Sequence, residues 1–209
     1  MARAAGVSTS AAVRRFTIRR GSILRFKDDG RCGALKGVRC SVHAGRPLAC
    51  RLYPLGLERA GDTERFATLE PAVGSLGVYG IDGTVDEFLA TQEVGAHLAA
   101  MARYAMLIPV FRGRIAELVD FERFEPREFW RRARREAMAE SNCDPNRLIE
   151  ALFDADRFEL NCIDVEAMVD SHVRGLVGLI EHCNDAPTIA AAAVMLATSL
   201  GYLPDEVMP

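Results

Sequence analysis

Apolar residues recur at helical spacing through most of the second half of the chain. The clearest run consists of Val94, Leu98, Met101 and Ala105. Just before it, Thr84 and Glu87 have the spacing of a capping box, in which each side chain accepts a hydrogen bond from the other residue's free backbone N–H. We therefore expect a helix over residues 85–107, ended near Pro109.

Prolines and glycines divide the rest of this half into further helices. Pro126 fits the first turn of a helix reaching about residue 140, and Pro187 opens an alanine-rich last helix that Gly201 can stop. Between them, Asp144-Pro145 predicts another helix start, because aspartate is a favoured N-cap and proline a favoured first helical residue. Residues 163–182 form the most periodic segment.

The first 83 residues carry a different pattern. A short helical signal over residues 11–16 is followed by the apolar residues Ile23, Leu24 and Phe26 and by the turn signal Asp28-Asp29-Gly30. Together the apolar residues and the turn predict a small β-hairpin. Residues 55–83 show no sustained period. We expect an irregular connection with short strands there.

These patterns predict a mainly α protein. A small irregular or β N-terminal module with a short hairpin (residues 1–83) would carry three cysteines and pack on a helical body of about five or six helices (residues 84–209). A chain of 209 residues can bury a core without disulfides. We expect the two parts to form one compact unit.

Charge distinguishes the two parts. The formal net charge is −3, yet residues 1–60 contain thirteen Lys and Arg against three Asp and Glu. Few aromatic residues stand among these arginines, which disfavours nucleic acid as the partner. The sequence has neither a signal-peptide pattern nor the ~18 consecutive apolar residues of a membrane span. We expect a cytoplasmic protein with reduced cysteines and no membrane contact.

The six cysteines fall into two groups. Cys143, Cys162 and Cys183 are scattered through the predicted helices, and we expect them, with His172, to be ordinary core residues, since free cysteine is among the most buried residue types. Cys32, Cys40 and Cys50 lie instead in a stretch with few aliphatic residues. The spacing of these three cysteines is compatible both with metal ligation and with a purely structural role.

The segment around these cysteines has features of a thiolate site. Pro47 restricts the backbone between two of them, which helps to hold ligands that come from loops. Arg39, Arg46 and Arg51 could donate hydrogen bonds to sulfur or offset its charge, or form a solvated basic surface. The long, unequal spacings favour an iron–sulfur cluster over structural zinc, which uses tight Cys-x₂₋₄-Cys pairs.

The stretch CSVHAGRPLACRLYP, residues 40–54, resembles the second cysteine cluster of the zinc- or iron-chelating CxxCxxCC (YkgJ-like) family. That pattern is approximately Cys-x-[Ile/Val]-[Tyr/His]-x-x-Arg-Pro-x-x-Cys-Arg-x-[Phe/Tyr]-Pro, and Cys32 matches the cysteine that precedes it. The resemblance covers residues 20–110, most strongly in the first third. It implies that Cys32, Cys40 and Cys50 are metal ligands, surrounded by Arg46, Pro47, Arg51 and Tyr53.

One part of the family pattern is absent from this chain. The Cys-x-x-Cys-x-x-Cys-Cys run should lie upstream, but residues 1–31 contain no cysteine. Either sequence before Met1 carries it, or the fourth ligand differs, with His43 as the candidate, or the module is a scaffold that has lost its metal. All three remain open.

The resemblance leads to a function hypothesis and its rivals. We expect a metal-binding cysteine-cluster protein holding an iron–sulfur cluster, or alternatively zinc, with the helical body as support or as a surface for a protein partner. One branch of the family contains flagellin lysine N-methylases, so a relative of these enzymes is the alternative. The sequence identifies no catalytic residue.

Overall fold

The computed structural model describes residues 1–60, 63–70, 83–122, 125–138, 147–158 and 164–202. Within these residues helices predominate, and the strands form small antiparallel two-stranded sheets, with one parallel bridge from Arg59 to Tyr202. The predicted fold class, mainly α with a small β-containing module at the N-terminus, is therefore confirmed.

The N-terminal module is built from short elements. In chain order they are α1 (Ala2–Ala5), α2 (Thr9–Phe16), β1 (Thr17–Ile18), β2 (Ile23–Leu24), β3 (Leu35–Lys36), β4 (Arg39–Cys40) and α3 (Leu48–Leu52). Strand β1 pairs with β2, and β3 with β4. The turn predicted at Asp28-Asp29-Gly30 is present, because Lys27 N–H donates to the Arg31 carbonyl and Phe26 forms an antiparallel bridge with Cys32.

A longer hairpin follows where the sequence predicts an irregular connection. Strand β5 (Leu55–Ala60) pairs with β6 (Thr63–Thr68), from Leu55 opposite Thr68 to Ala60 opposite Thr63. Residues 71–82 of the predicted connection lie outside the described part of the chain.

The helical body contains seven α-helices within the described residues. They are α4 (Val85–Thr91), α5 (Gly95–Ala105), α6 (Leu107–Leu118), α7 (Pro126–Met138), α8 (Leu148–Ala151), α9 (Val165–His182) and α10 (Ala186–Ser199). No single helix in the described part is long and apolar enough to cross a membrane; α4 together with the stretch Gly95–Leu118, bent by 98°, reaches that length and composition only as a pair.

Helix α10 is the centre of the main core. Ten successive residues, from Thr188 to Ala197, are buried, since helices α6, α7 and α8 pack around it. A helix that is apolar on all sides is stable only when it is surrounded in this way. His172 and Cys183 are also buried, at 3% and 2% exposure, so their predicted core positions are confirmed. Cys143 and Cys162 lie outside the described residues, as does Asp144-Pro145.

The N-terminal module has its own small core. Ala12, Phe16, Ala34 and Val42 are buried together, and the half-buried Cys32 and Cys40 pack against them. Helix α2 thus packs against the residues that flank the β3–β4 hairpin. This packing holds the cysteine-bearing segment against the start of the chain.

The module is joined to the body by a polar contact. Thr9 and Ser10, at the start of α2, donate their hydroxyl groups to the Asp154 carboxylate over 2.9 and 2.6 Å. The Asp156 carboxylate in turn accepts from the Ser10 and Thr9 backbone N–H groups over 2.8 and 3.2 Å. The otherwise unpaired N–H groups of the α2 N-terminus are therefore satisfied by the body.

Candidate metal centre

Three cysteines of the N-terminal module come from three separate segments. Cys32 follows the Asp28–Gly30 turn, Cys40 ends β4, and Cys50 lies in the first turn of α3. Leu35 pairs with Cys40, and the Leu35 N–H donates to the Cys32 carbonyl over 3.0 Å, which keeps the backbones of Cys32 and Cys40 in one hairpin. All three are free, half-buried thiols.

Cys32 and Cys40 lie within electrostatic reach of Cys50. Burial raises the pKa of the Cys50 thiol, and the charges of Cys32 and Cys40 raise it further, because adjacent thiolates repel. The Arg46 guanidinium opposes this effect and lowers the Cys50 pKa. Without a cation between them, the cysteines therefore favour a protonated Cys50.

Two arginines of this segment are anchored to the helical body. Arg51 is buried, and its guanidinium donates to the Gln92 carbonyl over 2.8 Å and to the Ala44 carbonyl over 3.0 Å, with the Glu93 carboxylate 3.8 Å away. Arg46 donates to the Gln92 side-chain oxygen over 2.5 Å. Arg46 thus both anchors the loop to Gln92 and lowers the pKa of Cys50. The hydrogen bonds of Arg51 hold the backbone at Ala44 and Gln92.

The remaining predicted site residues frame the same loop. Pro47 is the N-cap residue of α3, and its carbonyl accepts from the Cys50 N–H over 3.0 Å. His43 is exposed in a 3₁₀ turn (His43–Gly45), with its Nε2 3.4 Å from an Arg46 nitrogen. Tyr53 is half-buried directly after α3. Arg39, in β4, is exposed.

Gln92 contacts this loop, although no sequence pattern predicts that it does. It ends α4, forty-six residues from Arg46 and forty-one from Arg51, and it accepts hydrogen bonds from both. Its carbonyl belongs to the last turn of α4, where an intrahelical partner is missing, so Arg51 acts as a helix cap. No sequence spacing signals such a long-range contact.

The donor chemistry suits a thiophilic metal, but the present geometry is not a closed ligand set. Thiolates are the preferred ligands of zinc and of iron–sulfur clusters. Among the residues that the structure describes, however, no group of three or more His, Cys, Asp or Glu side chains is arranged to hold a metal ion. Binding through Cys32, Cys40 and Cys50 would require these side chains to move closer together.

Comparison with known proteins does not show whether this chain binds a metal. The chain matches no protein-family model, no curated protein and no solved structure. The functional conclusion therefore depends on the residues of this chain alone.

Proposed function

We propose that the N-terminal module binds a thiophilic metal centre, an iron–sulfur cluster or alternatively zinc, through Cys32, Cys40 and Cys50. The supporting observation is that three half-buried thiols come from separate segments, with Cys32, Cys40 and Arg46 all acting electrostatically on Cys50. A bound cation would replace the repulsion between the thiolates with attraction. It would also release the Cys50 proton, because thiolates rather than thiols are the ligands.

The surroundings of Cys40 and Cys50 hold these two residues in different ways. The strands of the β3–β4 hairpin contain only two residues each, and the Gly37 backbone between them has a positive φ of 61°. Arg51 and Pro47 meanwhile hold the α3 end of the loop in place. In the proposed site, Cys50 thus lies on an anchored helix and Cys40 on a short hairpin, with a fourth ligand still to be supplied.

The first test is metal content after anaerobic purification, followed by reconstitution with iron and sulfide or with zinc. Wild-type protein should retain the metal in stoichiometric amount, with visible sulfide-to-iron charge-transfer bands for a cluster. Cys32→Ser and Cys50→Ser should each lower metal affinity by about 10-fold or more, since each removes a ligand. Affinity should also rise with pH as the Cys50 proton is lost.

Cys183→Ala is the matched control, because Cys183 is buried in the helical body, away from the three thiols. Its metal content should equal that of the wild type. The proposal is wrong if reconstituted wild-type protein holds no metal, or if Cys50→Ser retains as much metal as Cys183→Ala.

A further inference from the structure

A cavity of about 730 Å³ opens where the N-terminal module meets the helical body. One wall is the segment from α2 through β2, and the other comes from α8 and the 3₁₀ helix Ala155–Phe158. Small-molecule sites in proteins typically occupy about 300–1,000 Å³. Five arginines line the cavity: Arg14, Arg19, Arg20, Arg25 and Arg157.

Among the described residues that line the cavity, positive charge exceeds negative charge and both acids are already paired. These acids are Glu150 and Asp154, which leaves a formal charge of +3 against the five arginines; Glu136, 4.0 Å from Arg20, offsets part of it. Arg157 contacts both acids, at 2.5 Å from Glu150 and 3.6 Å from Asp154. The Asp154 carboxylate also accepts from the Thr9 and Ser10 hydroxyl groups. The excess positive charge therefore lies on the α2–β2 wall.

The backbone of that wall adopts a conformation that arginine disfavours. Arg19 and Arg20 have consecutive positive φ angles of 48° and 57°, in the left-handed region that costs energy for residues with a Cβ. Gly21 follows with a φ of 110°, and a Cβ at this position would lie 2.5 Å from Phe153 Cβ. Contact with the body thus holds the turn in place. Such backbone strain is concentrated at functional sites.

Two of these arginines are oriented by contacts with the rest of the protein. Arg25 donates to the Thr17 carbonyl over 2.9 Å and to the Arg14 carbonyl over 3.2 Å, both neutral acceptors. The Arg20 side chain is only 7% exposed and reaches Glu136 at 4.0 Å, a residue that does not line the cavity. Guanidinium groups oriented by such contacts lose little entropy on binding an anion.

We propose that this cavity binds an organic phosphate, a small molecule that carries at least one phosphoryl group. Planar guanidinium forks match the paired oxygens of phosphate, and several of them can share a doubly charged group. Val13 and Ile18 also line the cavity and provide apolar contact for the organic part. This site does not include the three cysteines, so it is independent of the proposed metal centre.

Calorimetric titration of the full chain with pyrophosphate and with ATP tests the proposal. We expect saturable binding of one molecule per chain, with sodium sulfate at equal ionic strength binding more weakly. Arg14→Gln and Arg25→Gln should each weaken binding by about threefold or more. Cys50→Ser should bind both probes as the wild type does.

Arg15→Gln is the matched control. Arg15 neighbours Arg14 on α2 and carries the same charge, but it stacks on the Phe16 ring and does not line the cavity. Its affinity should change by less than about twofold. Circular dichroism checks that each variant folds. If Arg25→Gln does not fold, the affinity of Arg14→Gln provides the test, because Arg14 is exposed.

Three results would overturn the proposal. One is the absence of saturable binding of either probe to folded wild-type protein. Another is an equal loss of affinity in Arg14→Gln and Arg15→Gln, which would indicate a general effect of charge. The third is tighter binding of a single-stranded oligonucleotide, weakened equally by all three variants, which would indicate a nucleic-acid surface instead.

Discussion

Tyr104 and His172 form a buried polar pair in the helical body. The Tyr104 hydroxyl lies 2.6 Å from His172 Nδ1, and His172 Nε2 lies 2.8 Å from the Ala151 carbonyl oxygen. A carbonyl oxygen only accepts hydrogen bonds, so Nε2 carries the proton and the neutral Nδ1 accepts from Tyr104. Burial raises the pKa of Tyr104 to about 12, which keeps the hydroxyl a donor.

We predict that His172 stays neutral in the folded protein at pH values where a free imidazole is protonated. Burial lowers its pKa from the ordinary 6.5, although the hydrogen bond to Ala151 and the charge of Asp154 oppose the shift. The unfolded chain therefore takes up a proton near pH 6.5 that the folded chain does not, and this contribution to stability, present above pH 6.5, is lost as the pH falls. NMR titration of the His172 ring should show the lowered pKa.

The same titration in urea provides the control, because the unfolded His172 should regain its ordinary pKa. A folded-state pKa at or above 6.5 would contradict the neutral pair. The sequence predicts only part of this arrangement. The apolar stripe of α9 correctly indicates a core position for His172, but Tyr104 lies sixty-eight residues away and no spacing connects the two.

At the scale of a single element, the capping box of α4 is confirmed. Thr84 Oγ1 accepts from the Glu87 N–H over 3.2 Å, and the Glu87 carboxylate accepts from the Thr84 N–H over 2.8 Å. The hydrogen bonds from Thr84 also lower the pKa of Glu87. None of the residues of α4 is fully buried, so its first turn depends on these caps more than on packing.

We predict that Thr84→Ala destabilises α4 by about 1 kcal/mol, since it removes an N-cap side chain. Urea unfolding measures the global part of this loss. Amide hydrogen exchange measures local opening of the helix. The informative amides are those of Phe88, which donates to the Thr84 carbonyl, and Gln92, which donates to the Phe88 carbonyl. Thr84→Ser keeps the hydroxyl and should behave as the wild type. Equal exchange in Thr84→Ala and Thr84→Ser would contradict the role of the cap.

Local signals predict two helix starts but miss one break and one hairpin. Pro126 and Pro187 stand in the first turns of α7 and α10, as predicted. The single helix predicted over residues 85–107 is wrong, because the chain turns between α4 and α5, where Glu93 has a φ of 53° and Arg51 caps the Gln92 carbonyl. A contact from another module decides this boundary, which the apolar period of the sequence cannot show.

At the scale of the whole molecule, the proposed sites depend on segments that are distant in sequence. The cavity combines the α2–β2 segment with residues 150–157, and the cysteine group depends on Arg46 and Gln92 for its loop geometry. The motif at residues 40–54 predicts from sequence alone that the cysteines form a group. The arginines of the cavity carry no comparable motif, so their convergence becomes visible only in the folded chain.

The contact between the α2 N-terminus and the body should be sensitive to acid through Asp156. Desolvation raises its pKa, but the hydrogen bonds from the backbone N–H of Ser10 and from Thr9 and Ser8 outweigh that effect and lower the pKa to about 2. The carboxylate therefore contributes stability above its ordinary pKa of 3.8, and this contribution is lost as the pH falls towards 2. Because Asp156 is exposed, solvent screening keeps the contribution small.

We predict that Asp156→Asn lowers the free energy of unfolding by about 1 kcal/mol at pH 7, since the uncharged amide offers one acceptor oxygen instead of two. The difference from the wild type should shrink below about pH 4, as the wild-type carboxylate is protonated. Asp28→Asn, an equal charge change at an exposed turn, should have little effect. If the two variants unfold alike at pH 7, or if the Asp156→Asn deficit persists unchanged at pH 2, Asp156 does not join the module to the body through its charge.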